Sequence, residues 1–180
     1  MKILLSILPF LAACSSSYMR DAGPTPAPGQ EEAKVVIYRS SIIGAARTFP
    51  VYDGEELLGF TEVSSYFESL RKPGHHLFVA WGESDGVVHA ELAPGKTYYL
   101  EFYPKMGFFS AGAGLAAVPA TPEKCAELDK LLSGLAHREL IPERGATWEE
   151  NHREKEAKLV NRHEAQEPSR NGVLRPEDGR

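Results

Sequence analysis

Cysteine is scarce in this chain: Cys14 and Cys125 are the only two in 180 residues. Neither sits in a Cys/His spacing of the kind that closes a zinc site, and no His-Glu-x-x-His helix pattern occurs. Long apolar runs are missing too. The longest, near Ile3–Leu11, is too short to span a bilayer. No dense Lys/Arg stripe is present and the formal net charge is −5, which makes nucleic acid a poor partner. There is no Gly-x-Ser-x-Gly elbow, no Walker A loop and no dinucleotide fingerprint; Gly112-Ala113-Gly114 lacks the remaining glycine and lysine positions. These absences leave no recognisable nucleophile, phosphate cradle, metal site or cofactor, and the expectation is a protein that is not an enzyme.

The N-terminus carries the clearest signal. Lys2 is a positive n-region, Ile3 to Leu11 an apolar h-region, and Leu11-Ala12-Ala13-Cys14 follows. This pattern resembles the lipobox of bacterial lipoprotein precursors. The resemblance implies that residues 1–13 are removed and that Cys14 becomes the acylated N-terminus, with palmitate-type chains inserted in the membrane. Cys125 is then left without an intramolecular partner, and its place in a helical pattern suits a small buried hydrophobe. Ser15 after the cysteine, where lipoproteins of an inner membrane often carry Asp, favours the outer membrane, with the domain in the periplasm. Residues 14–32, with Ser15-Ser16-Ser17 and a Pro- and Gly-rich run from Gly23 to Gly29, read as a lipid-anchored flexible tether.

From Ala33 the period changes. Lys34 to Arg39 is a β-branched and aromatic run, apolar on both faces, as a central strand requires. Thr48 to Tyr52 is a second strand, with Pro50 marking an edge or a bulge and Asp53-Gly54 a hairpin turn. Ser64 to Leu70 is another. Pro73-Gly74 and Pro94-Gly95 then each launch a strand through a type II turn. With Asp85-Gly86 as a two-residue type I′ turn, Trp81 lies opposite Ala90 and Val79 opposite Leu92. That register places His89 opposite Gly82 and His76 opposite Gly95, too far apart for one ion. The fold class expected is mainly β: an antiparallel β-sandwich of about seven strands over residues 33–120. A packing helix follows at 121–136, with Thr121 as N-cap and one stripe of Cys125, Leu128, Leu131, Leu132 and Leu135. A further, solvated helix spans 147–166, opened by a capping box at Thr147, and residues 167–180 read as a disordered tail.

Several of these motifs together (Lys34-Val35-Val36-Ile37-Tyr38-Arg39, Val51-Tyr52-Asp53-Gly54-Glu55, Ser65-Tyr66-Phe67, Lys72-Pro73-Gly74-His75-His76 and Leu92-Ala93-Pro94-Gly95-Lys96-Thr97-Tyr98-Tyr99) resemble DUF2846, a domain of bacterial lipoproteins. The Pro-Gly-launched strands are also similar to PEGA-like small β-sandwich modules. The resemblance covers residues 33 to 118. It implies a non-enzymatic envelope β-domain and transfers no catalytic residue. The function expected is therefore a lipid-anchored module that binds or organises an envelope protein or a glycan such as peptidoglycan. The alternative is an envelope hydrolase whose site is assembled only in three dimensions. Two features offer a surface for a ligand or partner: Tyr99 and Tyr103, alternating against Tyr98, Leu100 and Phe102, and the uncharged tip with Phe108 and Phe109.

Overall fold

The computed structural model describes residues 17–106, 111–165 and 172–180. Two sheets face one another. Eight strands form the body: β2 (Ala33–Arg39), β3 (Phe49–Asp53), β4 (Glu56–Thr61), β5 (Ser65–Arg71), β6 (Gly74–Ala80), β7 (Gly86–Leu92), β8 (Thr97–Met106) and β9 (Ala111–Val118). Three short strands extend them: β1 (Met19–Asp21), β10 (Ala136–Leu140) and β11 (Val173–Leu174). One sheet has the order β1-β10-β5-β2-β8-β9 and the other β11-β7-β6-β3-β4. The chain alternates between them, so β2 and β8 meet in parallel in the middle of the first sheet after two excursions into the second. The molecule is thus a mainly β sandwich with two helices, α1 (Pro122–Ser133) and α2 (Pro142–Glu164). The described residues hold eleven strands rather than about seven, and both sheets are mixed, with parallel pairs β10/β5, β2/β8 and β11/β7. Of the extra strands, β1, β10 and β11 are short and polar or isolated in sequence, and β9 is a run of small residues without alternation, so hydrophobic alternation does not reveal them.

The main core lies between the sheets, where Ile37, Phe49, Phe78, Val88, Leu100 and Phe102 are all buried. β2 is buried along its whole length, as its two apolar faces require. Gly74 and Gly95 take φ of 122° and 74°, the left-handed values that the two Pro-Gly turns need. A bulge falls between Val51 and Tyr52, next to Pro50.

The β6–β7 register differs from the expected one. Phe78 faces Val88, Val79 faces Val87 and Ala80 faces Gly86, so Trp81 lies in a connecting loop and not across from Ala90. The reason is local. Neither Asp85 nor Gly86 has the positive φ that a type I′ turn requires. Gly86 is instead used for close approach: a Cβ there would overlap the backbone of Gly114 and Leu115, and one on Gly82 would lie 2.7 Å from the Ala113 nitrogen. The two glycines let β9 close the sandwich against this hairpin.

The segments flanking the sandwich are more ordered than expected. Within the anticipated tether, Met19 is buried and pairs with Leu140, while the Glu32 carbonyl accepts from Gly95 N at 2.7 Å. In the anticipated tail, Leu174 is buried and Arg180 exchanges two backbone bonds with Thr97. α1 covers the outer face of the first sheet through Leu128, packed with Val36, Tyr38, Tyr99 and Val118. α2 starts at Pro142, not at the Thr147 capping box; Thr147 lies inside the helix and its hydroxyl donates to the Glu143 carbonyl. Most of α2 is solvated, but Trp148, Glu156, Leu159 and His163 dock on the second sheet.

Candidate functional site

The observed β6–β7 register brings the histidines together. His75 stands opposite Glu91, His76 opposite Ala90 and Leu77 opposite His89. A groove of about 390 Å³ opens here, with Leu77, Ala90 and Leu174 as apolar lining and His89, Glu91 and Arg175 as polar lining. His75 Nδ1 lies 2.6 Å from a Glu91 carboxylate oxygen at the rim. The Nε2 of His89 is buried and has no hydrogen-bond partner among the described residues. Leaving a buried imidazole nitrogen unpaired costs about 1–3 kcal/mol. The groove combines an apolar lining with the opposite charges of Glu91 and Arg175, which suits a peptide or sugar segment. Among the described residues no group of three or more His, Cys, Asp or Glu side chains is placed to hold a metal ion.

His76 also lines this groove, yet its ring nitrogens are taken. Nδ1 contacts Asp53 Oδ2 at 2.7 Å and Nε2 contacts the Lys72 carbonyl at 2.7 Å. Both nitrogens can donate only in the imidazolium form. The hydrogen bond to Asp53 accordingly raises the His76 pKa above its ordinary value, against the opposing effects of burial and of Arg71. Arg71 lies 3.5 Å from Asp53 and forks onto Glu56 at 2.7 and 2.9 Å. This cluster ties β3, β5 and β6 together at one end of the sandwich.

A second concentration of chemistry lies beneath α2. Trp148 Nε1 donates to the Tyr52 hydroxyl at 2.7 Å, and that hydroxyl donates to Glu156 at 3.0 Å. Burial raises the Glu156 pKa, and the Tyr52 hydrogen bond works against it. Trp148 stacks on His152 at 3.9 Å and meets Phe60, Tyr18 and Trp81 edge-on. A cleft of about 300 Å³ opens beside this cluster, with Arg47, Trp81, Glu83 and Trp148 among its walls. Farther along α2, His163 Nε2 lies 2.8 Å from Asp85.

The residues expected to form a surface are dispersed. Tyr99 is 1% exposed beneath α1, with the Arg180 guanidinium 5.2 Å from its ring centroid, so it presents nothing to a ligand. Alternation on β8 marks two buried faces here, because the helix covers the second. Tyr103 is exposed near the end of β8. Phe108, Phe109 and Cys14 lie outside the described residues. Cys125 is half-buried, its sulfur near the Ala120 carbonyl.

Arg39 carries no signal in the sequence beyond a charge at the end of an apolar run, yet it is 1% exposed. Its guanidinium donates to the carbonyls of Arg47 (2.8 Å), Ile43 (2.8 Å), Gly44 (2.9 Å) and Thr61 (3.2 Å). It also lies over the Phe102 and Phe49 rings at 5.4 and 5.9 Å. The loop between β2 and β3 is thereby wrapped around one buried cation.

No protein-family model matches the chain, and no solved structure matches it. It is similar to an uncharacterized protein of Haemophilus influenzae strain Rd, 27% identical over 136 residues that make up 75% of this chain and 80% of that protein.

Proposed function

We propose that this chain is a lipid-anchored, non-enzymatic β-domain of the bacterial cell envelope, acylated on Cys14 and binding an envelope protein or peptidoglycan. The observation that carries the reading is the lipobox Leu11-Ala12-Ala13-Cys14 followed within a few residues by a folded β-domain. Among the described residues no helix is long and apolar enough to cross a membrane, so acyl chains are the attachment proposed. Ser15 supports an outer-membrane address with the domain in the periplasm, and the DUF2846-like motifs point the same way.

Binding is favoured over catalysis by how the titratable groups are used. The His76–Asp53 pair has both imidazole nitrogens engaged, and the His163–Asp85 pair is roofed by α2. Among the described residues the His76 imidazole meets a carboxylate and a backbone carbonyl, not the serine, threonine or cysteine that nucleophile activation needs. The groove beside His89 is the binding site we assign. A photocrosslinking amino acid placed at Leu77 in the native envelope should yield a discrete adduct with a protein or a glycan fragment, and His89→Ala should reduce its yield. Failure to form any adduct from Leu77, while the same group at a control position on α1 crosslinks freely, would contradict the assignment.

A further inference from the structure

We infer that the end of the sandwich carrying the β2–β3 loop and the tip of β8 is a membrane-docking surface, seated in the lipid headgroup layer beside the acyl anchor. The inference rests on the proposed acylation of Cys14 and adds the orientation of the domain. Four large hydrophobic side chains are exposed among the described residues: Ile42 (71%), Ile43 (62%), Tyr103 (39%) and Met106 (93%). All four lie at one end. β2 and β8 run in parallel, so the loop leaving β2 and the last residues of β8 emerge together. A Cβ on Gly44 would lie 3.6 Å from that of Pro104, which places the two segments side by side.

The N-terminal segment reaches the same end. Arg39 Nη1 donates to both Arg47 in the loop and Thr61 at the end of β4. The next residue, Glu62, accepts from the Ser17 hydroxyl, and Tyr18 stacks on Phe60 at 4.4 Å. Ser17 is therefore fixed to the folded domain, three residues after Cys14. Three extended residues reach about 10 Å at most, while one headgroup layer is only about 6 Å thick. An acylated Cys14 cannot hold this end clear of the bilayer surface by more than a few ångströms, so the nearest exposed groups meet lipid.

Those groups suit it. Isoleucine and methionine side chains gain by leaving water, Tyr103 has the amphipathic ring favoured at the interface, and the Lys105 ammonium, 5.9 Å from the centre of that ring, adds a positive charge that anionic headgroups attract. The loop is also pre-ordered. Arg39 satisfies four of its neighbouring carbonyls, so Ile42 and Ile43 are presented without an ordering cost on insertion.

The test uses full-length lipidated protein in vesicles of phosphatidylethanolamine and phosphatidylglycerol, with Cys125→Ser removing the other thiol. A bimane fluorophore is attached at Ile43→Cys, at Met106→Cys, or at Glu55→Cys in the β3–β4 turn of the opposite end. Nitroxide lipids labelled near the phosphate should quench positions 43 and 106 several-fold more than position 55. Adding Ile42→Asp and Ile43→Asp should lower quenching at 106 to the level at 55, while the protein still floats with the vesicles. Floating protein with equal quenching at 43, 106 and 55, or stronger quenching at 55, would overturn the orientation alone. Protein whose intact mass shows no acyl chains and which does not float would overturn the anchoring reading and this inference with it.

Discussion

Arg39 and His76 show how single side chains set the shape of the two ends. Among the described residues no carboxylate pairs with the buried Arg39, and its charge is compensated by carbonyl dipoles and ring faces. Lysine offers a compact ammonium that reaches fewer of these acceptors. Each carbonyl left buried without a donor costs about 1–3 kcal/mol, so Arg39→Lys should lower the urea midpoint markedly and increase proteolysis in the 40–48 loop. His76 behaves differently because it titrates. Its folded-state pKa is raised, chiefly by the hydrogen bond to Asp53, so its contribution to stability is full below the unfolded value near 6.5. That contribution is lost as pH rises through the folded pKa. Melting temperature should therefore fall as pH rises above about 6.5 in the wild type, and the dependence should flatten in Asp53→Asn. A wild-type profile that rises over this window would show that the pair is not formed.

At the scale of elements, α2 and the β7–β9 seam are the instructive cases. The sequence of α2 is polar, and from periodicity alone it reads as solvated. Its docking depends on polar groups: Trp148 and Glu156 meet on the Tyr52 hydroxyl, and His163 reaches Asp85. Such pairings have no one-dimensional signature, because each partner lies some 80 to 100 positions away. Trp148→Ala should cost about 3 kcal/mol, read as a shift in the denaturation midpoint with an unchanged slope. The β6–β7 register is hidden for a related reason. Face parity and an Asp-Gly pair both point to a tight turn, but Gly86 is required for the approach of β9, which lies about thirty residues on. Gly86→Ala should destabilise by about 1–3 kcal/mol or more through overpacking. In contrast, β2, β3, β5, the Pro-Gly turns and α1 were legible, since local chemistry decides them. The candidate site was hardly legible at all. Alternation points to Tyr99, which is core, and the groove at His89 depends on a register and a short strand that only tertiary contacts reveal.

Taken whole, the molecule has two unlike ends. One carries the β2–β3 loop, Ser17 and the exposed Ile42, Ile43 and Met106; the other carries the Asp53–His76–Arg71 cluster, near the groove lined by His89. In the account given above, the first end meets the membrane through the lipid on Cys14 and the second faces the periplasm toward a partner. Everything in that arrangement depends on the fate of Cys14. The most direct measurement is metabolic labelling with palmitate, combined with intact mass of the protein recovered from the membrane fraction. The account predicts a labelled chain that begins at an acylated Cys14, and in Cys14→Ser an unlabelled chain that keeps its first thirteen residues. Label that persists in Cys14→Ser, or an unacylated mature chain in the wild type, would contradict it.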